Sequence, residues 1–209
     1  MKWLIFYPLA VLLGALRARQ TWPTRARPFR ALIEQQTTLR DIPTRVLLAW
    51  IDLESGFRPR AYNPEGAAAM ERWACAVAAD PRWRDNPDWW KAKDVCQGLR
   101  EQMPRRALLP YWTFGSAGLM QVSGITARER GELPYQAPNS VLFDPACNIA
   151  VGARVIASLR DDLYRGRVHL DDHEWARVRA AYAGGVEILR HPEAARPLER
   201  RFLDRLRRF

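Results

Sequence analysis

The first residue in the chain that could do chemistry is Glu54, at the end of a predicted amphipathic helix. The helix TRVLLAWIDLES lies between Pro43, which suits a first helical turn, and Gly56, which favours a helix end. At about 100° per residue, Glu54 shares a face with apolar side chains, namely Leu47, Trp50 and Ile51. Apolar surroundings disfavour a charged carboxylate and raise its pKa. We therefore expect Glu54 to suit general acid catalysis near neutral pH.

Two other interpretations of Glu54 remain open from the helix alone. Its carboxylate could extend into solvent from the helix end, or it could pair with one of the many arginines. Asp52 falls on the opposite face with Arg45 and Ala49, so it is predicted to point towards a polar side.

The elements around this helix are predicted to be mainly α-helical. Helical patterns cover residues 31–66 and 115–185, and no stretch alternates with period two over several strands. Residues 20–30, with two prolines, are predicted to be a linker. Residues 192–209 are predicted to form a basic amphipathic helix with an apolar stripe at positions 198, 202, 206 and 209. That helix could lie on an anionic membrane or a glycan strand, or pack on its own domain.

The composition is that of a globular protein with a strongly basic surface. Of 209 residues, 48% are hydrophobic and 27% are charged, which argues against wholesale disorder. The formal net charge is +10, and 30 of the 33 basic residues are Arg. Such a surface favours an acidic partner, but no basic-aromatic motif accompanies the charge, so we predict no specific nucleic-acid partner.

Cysteine and histidine are too few and too scattered to predict a metal site. Neither Cys75, Cys96 nor Cys147 belongs to a CxxC pair, and the chain has 3 His. If the protein is exported, we expect a disulfide between Cys75 and Cys96. Cys147 would then remain an unpaired, buried thiol. Otherwise all three are expected to be buried thiols.

The amino-terminal segment is predicted to be an export signal or a membrane anchor. Residues 3–16 are continuously apolar after Lys2, a length typical of a signal peptide. The arginines that follow at once favour a cytoplasmic downstream side instead. We assign residues 1–19 to this signal or anchor.

Five short motifs follow one another through the chain. They are ESGF at 54–57, RAYNP at 60–64, GSAGLMQV at 115–122, FDPACNIAVGAR at 143–154 and AAYAGG at 180–185. In this order they resemble the soluble lytic transglycosylases, a family with a lysozyme-like fold related to goose-type lysozymes. The resemblance covers roughly residues 31–190, and we assign residues 31–191 to a catalytic domain of this kind.

The resemblance implies cleavage of the β-1,4 bond between N-acetylmuramic acid and N-acetylglucosamine in peptidoglycan. Glu54 then corresponds to the lone catalytic acid, which protonates the glycosidic oxygen. As a carboxylate it next helps the muramic acid C6 hydroxyl attack C1, giving a 1,6-anhydro sugar. This chemistry needs no cofactor and no second carboxylate, unlike that of ordinary glycosidases.

The resemblance also implies a set of residues that surround the substrate. They are Ser55, Gly118, Met120, Gln121 and Tyr182. Ser55 could orient the carboxylate or bond to a backbone carbonyl, and Gly118 could let the backbone approach the sugar. Met120 could line the cleft or belong to the core, and Gln121 could bind acetamide groups. The Tyr182 hydroxyl could reach the catalytic carboxylate, or the ring could belong to an apolar stripe of its helix.

Two features depart from the family pattern. Ala183 occupies a position where the family usually has Asn, which removes a polar contact from the cleft. Residues 67–114 form an insert of 48 residues with five of the nine tryptophans. We predict that the insert is a small helical lobe beside the cleft, whose tryptophans stack on sugars or form the core of the lobe.

Two alternative functions remain. A goose-type lysozyme hydrolase would need another carboxylate to position water, for which Asp52, Glu65 and Glu71 are near in sequence. A wall-binding or assembly protein would retain the fold without turnover. The expected partner is the peptidoglycan strand, and the expected location is periplasmic, exported or inner-membrane anchored, or else a phage virion. Secretion, conjugation and phage entry are the settings to consider.

Overall fold

The computed structural model describes residues 22–63, 74–87, 89–101 and 115–209, and this part of the chain is mainly helical, as predicted. The α-helices are α1 (Arg30–Arg40), α2 (Thr44–Ser55), α3 (Trp89–Arg100), α4 (Gly124–Glu129), α5 (Pro145–Tyr164), α6 (Asp172–Gly184) and α7 (Pro192–Leu206). Residues 74–79 are also helical. Short 3-10 helices cover Arg27–Phe29, Pro81–Trp83, Asn139–Phe143 and Val186–Arg190.

The hydrophobic segment assigned to residues 1–19 lies outside the described residues. Within the described ranges, no helix combines the length and the apolar character needed to cross a membrane.

A small antiparallel sheet joins the loops beside α2. Its strands are β1 (Tyr62–Asn63), β2 (Ser116–Ala117) and β3 (Val122–Ser123), in the order β1-β2-β3. Tyr62 pairs with Ala117, and Ala117 pairs with Val122. The sequence did not predict these strands, because two residues are too few to show an alternating pattern.

Helix α2 lies in the middle of the hydrophobic core. It runs over the predicted residues and ends where Gly56 adopts a left-handed φ of 59°. All residues from 46 to 51 are buried, and their removal from water contributes about 1.5–3 kcal/mol for each large apolar side chain. Ala49, expected on a polar face, is buried too. Helix α7 packs against α2, so part of the face expected to be polar is buried as well.

Helix α7 uses its apolar stripe inside the domain. Phe202 and Leu206 are buried in the main core, and Leu203 packs against it. Packing on its own domain, one of the two predictions for this tail, is therefore confirmed, and the Phe202 and Leu206 part of the stripe is covered by protein. The face that remains exposed carries arginines, namely Arg196, Arg200, Arg201, Arg207 and Arg208.

Local capping defines the two helices that face α2 and the sheet. Asp144 accepts a hydrogen bond from the Cys147 backbone N at 2.8 Å, and Pro145 occupies the first turn of α5. Helix α6 begins with a capping box between Asp171 and Glu174. These starts fix which side chains of α5 and α6 point into the core.

The segment predicted to be a linker packs on the domain instead, as far as it is described. Ala26 is fully buried, and Trp22 and Phe29 pack against the main core. Apolar side chains spaced through residues 22–29 explain this, since each can bury surface that a free linker would leave in water.

The described part of the insert forms a helical lobe that docks on α4 and the loop after it. A disulfide joins Cys75 and Cys96, whose Cα atoms are 4.8 Å apart. Asn86 Nδ2 donates to the carbonyl oxygens of Tyr135 and Ala137. Cys147 is free and half-buried, so the expectation of a buried thiol holds only in part.

The tryptophans of the lobe divide between its core and its surface. Trp83 is buried and packs edge-on against Tyr135, with ring centroids 5.4 Å apart. Trp89 packs against the same small core, whereas Trp90 is 61% exposed. Trp73 and Trp112 lie outside the described residues.

Candidate active site

Helix α2 places Glu54 at the wall of a large cavity. The carboxyl group belongs to the last helical turn, and its side chain is 14% exposed. The cavity has a volume of about 1010 Å³. Its described lining consists of Glu54, Phe57, Arg58, Pro59, Arg60, Ala61, Tyr62, Asn63, Ser116, Gln121, Tyr182 and Ala183.

The partner of Glu54 is an arginine of α6. Arg179 Nη2 lies 2.7 Å from Glu54 Oε1, and the arginine side chain is only 8% exposed. The guanidinium carbon also lies 5.7 Å from the centroid of the Trp50 ring. The sequence offered an apolar position and an arginine partner as separate interpretations of Glu54. The structure shows both at once, because Glu54 is largely buried and also pairs with Arg179.

Burial and charge act on Glu54 in opposite directions. Burial disfavours the carboxylate and raises the pKa of Glu54 above its ordinary value of 4.5, while the positive charge of Arg179 lowers the same pKa. Burial is the larger of the two causes, so the pKa of Glu54 is raised. A carboxyl group in this state can hold a proton closer to neutral pH than an exposed glutamate can.

Tyr182 stands beside Glu54 but bonds elsewhere. Its hydroxyl donates to the Met120 carbonyl oxygen at 2.9 Å, and its ring meets Trp50 edge-on at a centroid distance of 5.2 Å. Burial, and then the negative charge of Glu54, raises the pKa of Tyr182. The phenol therefore stays protonated and fixes the loop around Met120 next to the carboxyl group.

Gly118, the glycine of the GLMQ segment, packs closely against other residues of the protein. It does not line the cavity as expected for contact with a sugar. Gly118 has a φ of 76°, and a Cβ there would lie 2.3 Å from both Asn148 Nδ2 and the Leu142 carbonyl oxygen. Only glycine combines this backbone with this contact. The close approach expected at Gly118 is therefore to Asn148 of α5.

Met120 lies in the core, not on the cleft surface. Its side chain is fully buried, and its sulfur would be 2.6 Å from a Cβ added to Gly152. The sequence allowed both a cleft and a core position. The structure assigns the side chain to the core, and only the Met120 backbone serves the site, through Tyr182 and Asn148.

Asn148 ties the loop of the site to α5. Its Oδ1 accepts from the Met120 backbone N at 2.7 Å, and its Nδ2 donates to the carbonyl oxygens of Ala117 and Leu142 at 2.8 Å each. The side chain is fully buried. Asn148 thus joins the GLMQ loop, β2 and the loop before α5 by hydrogen bonds.

Gln121 lies at the cavity wall with its amide group partly used. Its Nε2 donates to the carbonyl oxygens of Ala61 and Gly118, at 3.0 and 2.9 Å. Its φ is 48°, which is uncommon for a residue other than glycine. Such backbone strain persists where the surrounding structure enforces it, often at a functional site.

Ser55 is turned away from the carboxyl group of Glu54. The side chain is buried, and Oγ donates to the Ile51 carbonyl oxygen at 3.1 Å. Of the two roles considered for Ser55, the structure therefore shows the hydrogen bond to a backbone carbonyl and not contact with the carboxylate. The serine closes the last turn of α2 and supports Glu54 only through the helix.

A second cavity continues from the first on the far side of Tyr182. Its volume is about 490 Å³, and it shares four residues with the first cavity, namely Ser116, Gln121, Tyr182 and Ala183. Ala183 is exposed, and Glu129 and Arg130 line the far part. We call these two adjoining cavities, both lined by Tyr182 and Gln121, the groove.

Comparison with protein families decides the class of the chain. The family model described as "Transglycosylase SLT domain" matches residues 31–199. The chain belongs to this family. No curated protein and no solved structure matches the sequence significantly.

Membership of the SLT family confirms the resemblance inferred from the motifs and the lysozyme-like fold class. It supports a lytic transglycosylase activity on peptidoglycan, with peptidoglycan as the bound substrate, and a periplasmic or extracellular place of action. The match extends into α7, beyond the domain end predicted at residue 191. Packing of α7 on α2 and α6 explains why this helix belongs with the SLT domain.

The described part of the SLT domain contains no group of three or more His, Cys, Asp or Glu side chains that could hold a metal ion.

Sequence reasoning missed three charged residues at the site, namely Arg58, Arg179 and Glu129. Arg58 and Glu129 carry no motif that could reveal them. Arg179 lies three residues before Tyr182, so it shares a helix face with that tyrosine. This spacing was the one available signal.

Proposed function

We propose that this SLT-domain protein cleaves the β-1,4 bond between N-acetylmuramic acid and N-acetylglucosamine and leaves 1,6-anhydro ends. The observation that carries the proposal is the position of Glu54. Among the described residues that line the main cavity it is the one carboxylic acid, and burial raises its pKa.

In the first step the protonated Glu54 donates its proton to the glycosidic oxygen. The bond from C1 of the muramic acid to that oxygen breaks, and the glucosamine leaves with a free 4-hydroxyl group. An acid with a raised pKa is protonated in a larger fraction of molecules near neutral pH, which supports this role.

In the second step the Glu54 carboxylate accepts the proton of the muramic acid C6 hydroxyl. Its oxygen bonds to C1, the anhydro ring closes, and Glu54 is protonated again. The attacking hydroxyl is part of the substrate, so its effective concentration is high. Atoms balance without water, and no second carboxylate is required.

The neighbours of Glu54 are proposed to hold the sugar rather than to react. Gln121 uses its Nε2 for backbone carbonyls, which leaves its Oε1 to accept from an acetamide N–H. The protonated Tyr182 hydroxyl keeps the Met120 backbone in place. The exposed Arg58 and Arg60 at the cavity wall suit the carboxylates of the peptide attached to muramic acid.

Hydrolysis by a goose-type lysozyme mechanism is the second candidate, and one observation favours it. Glu129 lines the adjoining cavity and could position a water molecule. Asp52 does not serve this purpose, since it pairs with Arg205 on the opposite side of α2. Glu65 and Glu71 lie outside the described residues.

In the cell, we propose that the protein opens the peptidoglycan layer locally. Secretion, conjugation and phage DNA entry are settings that need such an opening, and the phage setting would place the protein in a virion.

Product analysis tests the proposed chemistry. Purified peptidoglycan is digested with the wild-type protein, and the soluble products are identified by mass spectrometry before and after borohydride reduction. We expect 1,6-anhydro ends, which are lighter by one water than hydrolysed ends and do not react with borohydride. Mainly reducible N-acetylmuramic acid ends would establish the hydrolase instead, and binding without soluble product would establish a wall-binding protein.

A further inference from the structure

Arg179 is a buried arginine in direct contact with Glu54, the proposed general acid. Its side chain is 92% buried, since 8% is exposed, and Nη2 lies 2.7 Å from Glu54 Oε1. The guanidinium also stands over Trp50, which forms the floor between α2 and α6. A buried cation thus contacts the carboxyl group that the proposed reaction must protonate.

The rest of the guanidinium has few partners. Within the described structure, Arg179 Nε and Nη1 are buried and donate to no hydrogen-bond acceptor. A buried charge is costly to keep unless it is paired. Glu54 is the carboxylate that pairs with Arg179, so the arginine has its main electrostatic interaction with the residue that would do the chemistry.

The other charged groups near Glu54 cannot replace Arg179. On α2, Asp52 faces away and pairs with Arg205 of α7 at 2.7 Å. Arg58 and Arg60, which follow α2, are exposed and screened by solvent.

The remaining titratable neighbour is uncharged. The Tyr182 phenol of α6 is held protonated, because burial and Glu54 raise its pKa. Of the charges around Glu54, that of Arg179 is the one that lowers the pKa of Glu54.

We propose that Arg179 is a positioning residue of the active site, which holds Glu54 Oε1 against the Trp50 wall and restricts cleavage to a lower pH range than burial of Glu54 alone would allow. This inference rests on the proposed function for its effect on cleavage. Fixing Oε1 leaves Oε2 as the oxygen that faces the substrate.

The charge of Arg179 has opposite effects on the two forms of Glu54. It reduces the fraction of Glu54 that is protonated at neutral pH, which lowers the rate there. At acidic pH, where Glu54 is protonated anyway, the same charge stabilises the carboxylate formed in the first step and makes Glu54 a better proton donor. A purely structural arginine would change the rate by the same factor at every pH.

The experiment compares wild type with Arg179→Met and Arg179→Lys over pH 4 to 9. The first substitution removes the charge and keeps an unbranched apolar stem, and the second retains a charge. Arg205→Met is the matched control, because it breaks the other arginine–carboxylate pair of α2, on the opposite face. Cleavage rates are recorded by product release, and the Glu54 carboxyl group is titrated directly by 13C NMR, assigned with Glu54→Gln.

We expect the alkaline limb of the Arg179→Met profile to move upward by about one pH unit or more, because an adjacent opposite charge typically lowers a carboxyl pKa by 1–3 units. The ratio of the rate at pH 8 to that at pH 5 then rises about tenfold or more. Arg179→Lys and Arg205→Met should keep the wild-type limb. If Arg179→Met does not fold, Arg179→Gln takes its place, since it is polar without the charge.

Equal titration of Glu54 in wild type and in a folded, uncharged variant at position 179 would overturn the proposal. So would a rate loss that is the same at every pH. Absence of product from wild type at every pH would refute the proposed function, whereas the carboxyl titration would still decide the role of Arg179. The two failures are therefore distinguishable.

Discussion

Glu54 and Asp52 lie two residues apart on α2, yet they face opposite ways and each pairs with its own arginine. Glu54 meets Arg179 of α6 at the groove, and Asp52 meets Arg205 of α7 on the far side, both at 2.7 Å. The 100° turn per residue separates the two carboxylates. Only one of them can reach a substrate in the groove.

Glu54→Gln is expected to lower peptidoglycan cleavage by at least about 10²–10⁴-fold, since it removes general acid and base function. The fold should persist, because the amide oxygen can still accept from Arg179. The rate of release of soluble fragments measures the loss, and circular dichroism checks the fold.

Asp52→Asn and Glu129→Gln are the controls for that variant, and both should stay active. Near-wild-type cleavage by folded Glu54→Gln would exclude Glu54 as the acid. Loss of activity in Glu129→Gln equal to that in Glu54→Gln would favour the two-carboxylate hydrolase.

Ala183→Asn should strengthen substrate binding. Ala183 is exposed and lines both cavities, so a larger polar side chain fits without displacing the core. One new hydrogen bond to the sugar is worth about 0.5–1.5 kcal/mol, which corresponds to a KM lower by about two- to tenfold. Steady-state kinetics on soluble glycan fragments measures it. Ala183→Val, which adds bulk without a polar group, should bring no such gain, and an equal gain from both would contradict this reasoning.

Asn148→Ala should destabilise the whole domain. It removes three hydrogen bonds from a fully buried side chain and leaves the backbone groups of Ala117, Met120 and Leu142 without them. Each unsatisfied buried group costs about 1–3 kcal/mol, so we expect the free energy of unfolding to fall by about 3 kcal/mol or more. Urea unfolding provides the measurement. Asn63→Ala, at an exposed position, should change it by no more than about 0.5 kcal/mol, and a similarly small effect at position 148 would show that the network does not stabilise the fold.

Loss of the disulfide should loosen the lobe. Cys75 and Cys96 are 21 residues apart in sequence, and a crosslink of that span contributes about 3 kcal/mol through the entropy of the unfolded chain. We expect the double substitution Cys75→Ser and Cys96→Ser to speed proteolytic cleavage within the lobe, while Cys147→Ser does not. Peptide mapping without reductant tests the pairing itself. Free thiols at both positions in protein purified from an oxidising compartment would argue against the bond.

Cleavage by the wild type should decline with rising pH along a limb whose midpoint is above 4.5. The sign follows from the role of Glu54, because the protonated form is active and burial raises its pKa above that ordinary value. A pH profile of kcat/KM reports this pKa in the free enzyme. A midpoint at or below 4.5 would mean that Arg179 outweighs burial.

Much of the fold was predictable where the signal is local. The bounds of α2 follow from Pro43 and Gly56, and the start of α5 follows from Asp144 and Pro145. The two-residue strands and the packing of residues 22–29 were not predictable, since neither shows a periodic pattern.

The sequence by itself determined that Glu54 lies on the apolar face of a helix and that Asp52 lies on the other. Both follow from the helical period, which acts between neighbours in the chain. Only the tertiary structure decided which arginine meets Glu54. The chain has 30 arginines, and Coulomb attraction does not distinguish among them before the fold sets the distances. Packing of α2 against α6 brings Arg179 to 2.7 Å from Glu54, and with it a charge that the sequence could not assign to the site.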